Sequence, residues 1–252
     1  MLMSFVTSGF VEHTPTEVLL TLNVVDDQLQ ALLADTSWPF SLKVVLNRQP
    51  KGFGSNHNQA FREARGEWFV VVNPDILWLT RERASAGECQ PWNGAANAAV
   101  FVPRQLDVQG HAQDSFRELV TPTSAVVRTI QRCFGRRANA GVARSVCTSD
   151  WVNAACLIIR AQVYRSLRGF DERYFMYCED ADFCLRLQLA GHTIADAGFA
   201  VIHDAQRNTF RQPRHLWWHL TSLLRFWCSG VFWRYWLTKQ RKAGSRSHTG
   251  HP

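Results

Sequence analysis

Apolar positions set the first elements. Residues 17–24 (EVLLTLNV) are apolar and β-branched and predict a strand. Residues 26–34 repeat with helical spacing and place Leu29, Leu32 and Leu33 on one side. Residues 42–46 predict a second, buried strand. A glycine-rich turn at 51–55 leads into a helix over about 58–65. WFVVV at 68–72 predicts a third strand, ended by Asn73-Pro74-Asp75. Near-continuous apolar strands alternating with helices indicate an α/β fold, with a parallel sheet covered on both faces.

Further along, 98–102 reads as a strand and 121–134 as a helix with Pro122 in its first turn. Residues 136–148 are small and basic and read as a loop. A strand over 152–159 is followed by a helix over 179–190, closed by Gly191. Val201 and Ile202 lie in a short last strand, and 214–237 forms one long helical stretch. A start at 4–8 reads as a shortened first strand, unless the chain begins late and lacks that strand.

With 252 residues, 46% apolar and 19% charged, composition excludes disordered, collagen-like and coiled-coil classes. Seven cysteines are scattered without a C-x-x-C pair, which excludes a zinc ribbon and fits free thiols in a reducing cytosol. The apolar start lacks a basic leader, so no signal peptide is read. The net charge of +7 is uneven. Nine Lys/Arg and no acid fall within 205–252, leaving 19 bases against 21 acids before it. Five of the ten tryptophans also lie there: Trp217, Trp218, Trp227, Trp233 and Trp236. The expected organisation is a near-neutral domain over 1–204 and a basic, Trp-rich helical tail over 205–252.

Candidate chemistry gathers at four places. Asn73-Pro74-Asp75 follows a strand, where ligands of open sheets collect, and its carboxylate suits a divalent cation. An ordinary turn is the competing reading. Around the turn at 51–55, Asn47, Asn56 and Asn58 offer amides to a nucleobase or sugar, and Gly52 allows close backbone approach. The spacing is neither G-K-[ST] nor G-x-G-x-x-G. Glu179, Asp180 and Asp182 open a helix. Asp182 fits an ion pair with Arg186 at i, i+4, and one carboxylate aimed into a cleft suits proton abstraction. His203 ends a strand and is a competent ligand if it faces Asp75.

These blocks, KGFGSNHNQAF (51–61), VVNPDI (71–76), DWVNAACLIIR (150–160), GFDERYFMYCEDADFCLRL (169–187) and VIH (201–203), resemble the family 2 glycosyltransferases, in their rhamnosyltransferase-like branch. The resemblance spans about 16–203, with uncertain alignment over 76–149. It implies a GT-A fold with a mixed, mostly parallel sheet, a nucleotide-diphosphate sugar donor, inversion at the anomeric carbon and Mg²⁺ or Mn²⁺. It assigns Asn73 and Asp75 to the metal and diphosphate motif, with Asn in place of the first acid. It makes His203 a second metal or phosphate contact, and Asp180 the general base with Glu179 beside it. It places Gly52, Phe53, Asn56 and Asn58 beside the nucleotide, and Asp150 and Trp151 against the sugar and acceptor. Asn47 joins the donor set through its amide.

The chain departs from the family at Asn153-Ala154-Ala155, where a small residue followed by Gly is usual. It also lacks the base-binding acid expected near Leu22-Asn23. Residues 216–237 include His219, Arg225 and Arg234, too polar for a spanning helix. Trp and Leu interleaved with Arg suit a helix lying in the membrane interface at the cytoplasmic face. A helix that packs its aromatics on the domain is the competing reading. The expected function is sugar transfer to a glycan or lipid-linked hydroxyl in cell-surface polysaccharide synthesis, without nucleic-acid binding. The alternative is a degenerate transferase domain serving as a membrane-associated interaction protein.

Overall fold

The computed structural model describes residues 1–10, 16–80, 98–125, 127, 149–204 and 213–248. A short helix, α1 (Leu2–Thr7), precedes β1 (Glu17–Leu22), α2 (Asp27–Asp35), β2 (Ser41–Leu46) and α3 (Phe53–Phe61). Then come β3 (Trp68–Val72), β4 (Ile76–Trp78), β5 (Ala98–Leu106), β6 (Phe116–Arg117), β7 (Trp151–Val152) and β8 (Cys156–Arg160). The chain closes with α4 (Ala161–Ser166), α5 (Glu179–Leu189), β9 (Thr193–His203), α6 (Pro213–Trp227) and α7 (Gly230–His248).

The central sheet has five strands in the order β3-β8-β5-β9-β4. It is mixed, as expected, but its ladders are mainly antiparallel: β8 runs against β3 and β5, and β4 against β9. The β5–β9 and β1–β2 ladders are parallel. Pro103 lies within β5 where the register with β9 shifts, consistent with its missing N–H. Alternate residues of each strand feed opposite faces. Leu157 and Ile159 join Phe69, Val71, Tyr164, Phe170, Phe183 and Leu187 under the helices. Cys156 and Ile158 join Ile76, Phe101, Phe199 and Val201 on the other face.

Several expectations are corrected. Residues 4–8 are not a strand. They belong mostly to α1, which lies against β4 through Phe5 on Trp78 (centroids 5.0 Å) and a bond from the Trp78 amide to Ser4 Oγ at 3.1 Å. Strand β2 is not buried, since it has a neighbour on one side only and Leu46 is exposed. The 152–159 strand is interrupted between β7 and β8, and the last strand is eleven residues long. On α2, Leu33 is buried whereas Leu29 and Leu32 face outward. Residues 122–125 are helical, and the rest of that predicted helix and the 136–148 loop lie outside the described residues.

The tail is two helices, broken between Trp227 and Gly230, and both pack on the domain. Phe226 and Phe232 are buried with Leu119, Tyr174, Ala181 and Leu185. Burying such a ring stabilises by about 2 kcal/mol. Trp227 Nε1 donates to the Val120 carbonyl at 2.8 Å. The described α6 and α7 therefore form a layer over α5.

Candidate active site

Asp75 and His203 meet because β4 folds back on β9. Ile76 sits opposite His203 in that ladder, and Asp204 N–H donates to the Asp75 carbonyl at 3.0 Å. Asp75 Oδ1 stands 3.6 Å from His203 Nε2, beyond hydrogen-bond range. Two atoms ligating one ion at about 2.1 Å each lie about 3–4 Å apart. Asp75 Oδ1 is enclosed and makes no hydrogen bond among the described residues, and it faces His203 Nε2, which marks a place where a ligand is expected. The pair fits one hard divalent cation that takes its remaining ligands from phosphate oxygens and water.

Asn73 stands beside this pair. Its N–H donates to the Ala155 carbonyl at 2.8 Å, and Pro74 is exposed at the turn. The neighbouring residue of that segment, Ala154, offers its backbone to Asp180. Asp75 and Asp180, 105 positions apart in sequence, thus border the same short stretch ahead of β8. The departure at 153–155 has a structural use: Asn153 and Gln105 exchange two side-chain bonds at 2.6 and 3.1 Å, holding the stretch to β5.

Glu179 and Asp180 open α5, where the helix dipole favours negative charge. Burial nevertheless raises the pKa of both, and the Asp180 charge raises that of Glu179 further. Arg117 and backbone N–H groups act in the opposite direction on Asp180. Asp182 pairs with Arg186 Nε at 2.6 Å, as its spacing predicted, and Arg186 also holds the Leu167 and Gly169 carbonyls.

A cavity of about 490 Å³ opens at the end of β2, lined by Leu46, Asn47, Arg48, Pro50, Lys51 and Gln59. Asn47 is buried and donates to Asn23 Oδ1 at 2.9 Å and Asn56 Oδ1 at 2.7 Å. Its own Oδ1 is enclosed without a partner among the described residues. Asn23 stands where the acid was expected. It accepts from Lys51 N and donates to Lys51 O, and a carboxylate could not make the second bond.

Five residues expected at the donor have partners within the chain. Asn58 gives both N–H groups to Phe170 O and Glu172 Oε1 and accepts from Tyr164 Oη and Phe170 N, which exhausts its amide. Gly52 is required by the chain itself, because a Cβ there would come within 2.6 Å of Phe175 O. Phe53 turns its ring toward Phe170 and His57. Asp150 is buried under α7, where Lys239 Nζ, Tyr235 Oη and Leu119 N converge on its carboxylate. Trp151 donates from Nε1 to the Glu118 carbonyl at 2.9 Å and lies under the Arg117 guanidinium. The roles of Asn23, Asn153 and Gln105 went unread, since amides carry no local signal of their partners.

No family model matches the chain. Among curated proteins, the rhamnosyltransferase WbbL of Escherichia coli K12 is 25% identical over 242 residues, covering 83% of this chain and 86% of that protein. The N-acetylglucosaminyl-diphospho-decaprenol L-rhamnosyltransferase of Mycobacterium tuberculosis is 28% identical over 195 residues. There the match covers 72% of this chain and 62% of the relative's length. Among solved structures, the mannosyltransferase PcManGT of Pyrobaculum calidifontis, in complex with GDP-Man and Mn²⁺, superposes with a TM-score of 0.50 at 16% identity. It covers 83% of this chain and 55% of that one. S. aureus TarS 1–349 in complex with UDP-GlcNAc gives 0.52 at 16% identity, with 84% and 56% covered. The shared fold is GT-A.

Proposed function

We propose, from the premise that this chain is a GT-A glycosyltransferase similar to rhamnosyltransferases of family 2, that it moves a rhamnose-like sugar with inversion. The donor is a nucleotide-diphosphate sugar, and the acceptor is a hydroxyl of a glycan or lipid-linked sugar in cell-surface polysaccharide synthesis. The observation that carries this reading is the approach of Asp75 to His203 at the strand end that Asp180 also borders.

Asp75 and His203 would hold a divalent cation, Mg²⁺ or Mn²⁺, with the donor diphosphate completing its shell. Such an ion offsets the charge that grows on the leaving diphosphate. Asn47, Lys51 and Asn56 would grip the nucleoside in the β2 cavity. Asp180, its basicity raised by burial, accepts the proton of the acceptor hydroxyl. That oxygen bonds to the anomeric carbon as the carbon's bond to the diphosphate breaks, so one displacement inverts the centre. Glu179, held protonated more strongly, spares Asp180 a second adjacent charge.

The tail supports work at a membrane surface. Trp217, Leu220 and Leu224 recur on the outer side of α6, and Trp233 and Leu237 project from α7; all are exposed. The segment carries no acid. Such a face suits the interface of an anionic bilayer, on the cytoplasmic side where activated donors are made. Among the described residues, no helix is long and apolar enough to cross a membrane.

Incubation with dTDP-, UDP- and GDP-linked sugars, with Mn²⁺ or after EDTA, tests the reading. Metal-dependent release of nucleoside diphosphate, with a product of opposite anomeric configuration, is expected. Turnover unaffected by EDTA, or retention of configuration, would overturn it.

A further inference from the structure

The inner face of α6 meets the catalytic segment directly. His215, Trp218, His219 and Ser222 recur at helical spacing and share that face. They lie along residues 173–178, which lead into Glu179 and Asp180. Tyr177 Oη is 3.0 Å from His215 Nδ1, and the Tyr177 ring stands edge-on to His219 at 5.0 Å. Phe175 packs on Trp218 at 4.7 Å, and Ser222 Oγ donates to the Met176 carbonyl at 2.8 Å. Tyr177 and Cys178 both have left-handed backbone, φ +73° and +66°. Consecutive non-glycine residues hold that conformation only where their surroundings impose it, and α6 supplies the restraint.

Arg117 approaches from the opposite side. Its strand β6 pairs with β7, which sets Arg117 opposite Trp151, and its guanidinium lies 5.2 Å from the Trp151 ring centre. Trp151 and Cys178 pack in one cluster, so Arg117 is carried to the start of α5. Burial lowers the pKa of His219 and the Arg117 charge lowers it further, while at Asp180 that charge opposes the rise caused by burial. Arg117 is exposed, and His219 Nδ1 is enclosed without a hydrogen bond among the described residues. A guanidinium on Trp151 and an imidazole on Tyr177, from distant parts of the chain, thus stand by the start of α5 on the side of β6 and α6. Asp75 and His203 are reached by a different route, through Ala155.

We propose that Arg117 and His219 form an anion site for the acceptor, holding the phosphate or diphosphate that joins the acceptor sugar to a lipid carrier. The proposal rests on the reading of Asp180 as the base that meets the acceptor hydroxyl. A sugar whose hydroxyl lies against Asp180 has its own anomeric substituent at the far side of the ring. A neutral glycan would ask for no cation there, whereas a diphosphate needs charged donors, and guanidinium meets it through paired N–H groups. The exposed side of α6, with Trp217, Leu220 and Leu224, then faces the bilayer that holds the lipid.

Farnesyl diphosphate is a suitable probe, with its binding to the full chain followed by tryptophan fluorescence in EDTA, which removes the cation-dependent donor site. The wild-type chain is expected to bind it, with farnesol binding at least tenfold more weakly. Arg117→Ala should weaken binding tenfold or more, Arg117→Lys less, and His219→Gln severalfold. Lys43→Ala, a surface change far along the sequence, should leave it unchanged, and melting curves identify variants that fail to fold. Equal binding of farnesol and farnesyl diphosphate, or wild-type affinity in folded Arg117→Ala and His219→Gln, would overturn the site. Absence of donor turnover by the wild-type chain would instead count against the transferase reading, and the binding measurement still decides this one.

Discussion

Lys239 Nζ reaches both carboxylate oxygens of Asp150 at 2.7 Å, across 89 positions of the chain. Asp150 also accepts from Tyr235 Oη at 3.0 Å and from the Leu119 amide at 2.7 Å, and its own carbonyl accepts from Gln188 on α5. This buried carboxylate anchors α7. Removing it strands the Leu119 N–H and takes from Tyr235 Oη one of its two acceptors, the other being Gln188 Oε1.

Asp150→Ala should therefore cost about 3 kcal/mol, from the buried donors that lose their acceptor. Lys239→Ala should cost about 1 kcal/mol, because the lysine is half exposed and water replaces it. Urea denaturation separates the two. Equal losses would mean that the pair, and not the carboxylate with its buried donors, sets the stability.

Asp180→Asn should keep donor binding and lose about 10²–10⁴ in kcat, the range for one proton-transfer group. Stopped assays with saturating donor and acceptor measure it. Near-wild-type turnover would remove Asp180 from that role.

Glu179→Gln should change the pH dependence of stability and leave that of the rate in place. Glu179 holds its proton in the folded chain well above the ordinary glutamate value of about 4.3. Its contribution to stability is thus complete below that value and declines as pH rises through the folded pKa. Melting temperatures of the wild-type chain should fall from pH 5 to pH 8 more than those of Glu179→Gln. In the same variant Asp180 keeps a neutral neighbour, so the acidic limb of the rate profile should stay in place. A limb moved to lower pH would show that Glu179 carries its charge beside Asp180.

Asp75→Ala and His203→Ala should each abolish the stabilisation by Mn²⁺ plus donor in a thermal-shift titration, with little change in the unliganded melting point. Both atoms lack partners to lose. Retained metal response in either variant would break the assignment of a shared ion.

Gly169→Ala should destabilise by more than 1 kcal/mol. Gly169 has φ +66°, and a Cβ there would fall 2.1 Å from Asn58 Oδ1, the atom that accepts from Tyr164 and Phe170. Calorimetry of this variant beside Gly191→Ala is informative. Gly191 shares the left-handed backbone, φ +86°, but has open space around it. The larger loss should fall on Gly169.

Local pattern determined much of this protein. WFVVV became β3 at the expected residues, the acids at 179–182 opened a helix, and Asp182 found Arg186 one turn away. Such features depend on neighbours within a few positions, so the sequence carries them complete. Asn-Pro-Asp after a strand and a histidine at the end of another were likewise legible as candidates, although only the β4–β9 ladder could bring Asp75 and His203 to 3.6 Å. Tertiary structure alone decided the fates of Asn58, Asp150 and the tail. Their partners lie 31 to 114 positions away, and an amide, a carboxylate or a tryptophan reads the same whether it meets a ligand or its own chain. Burial made that choice: once α6 and α7 covered α5, Asp150 took Lys239 as its partner, and His219 came to stand beside Tyr177.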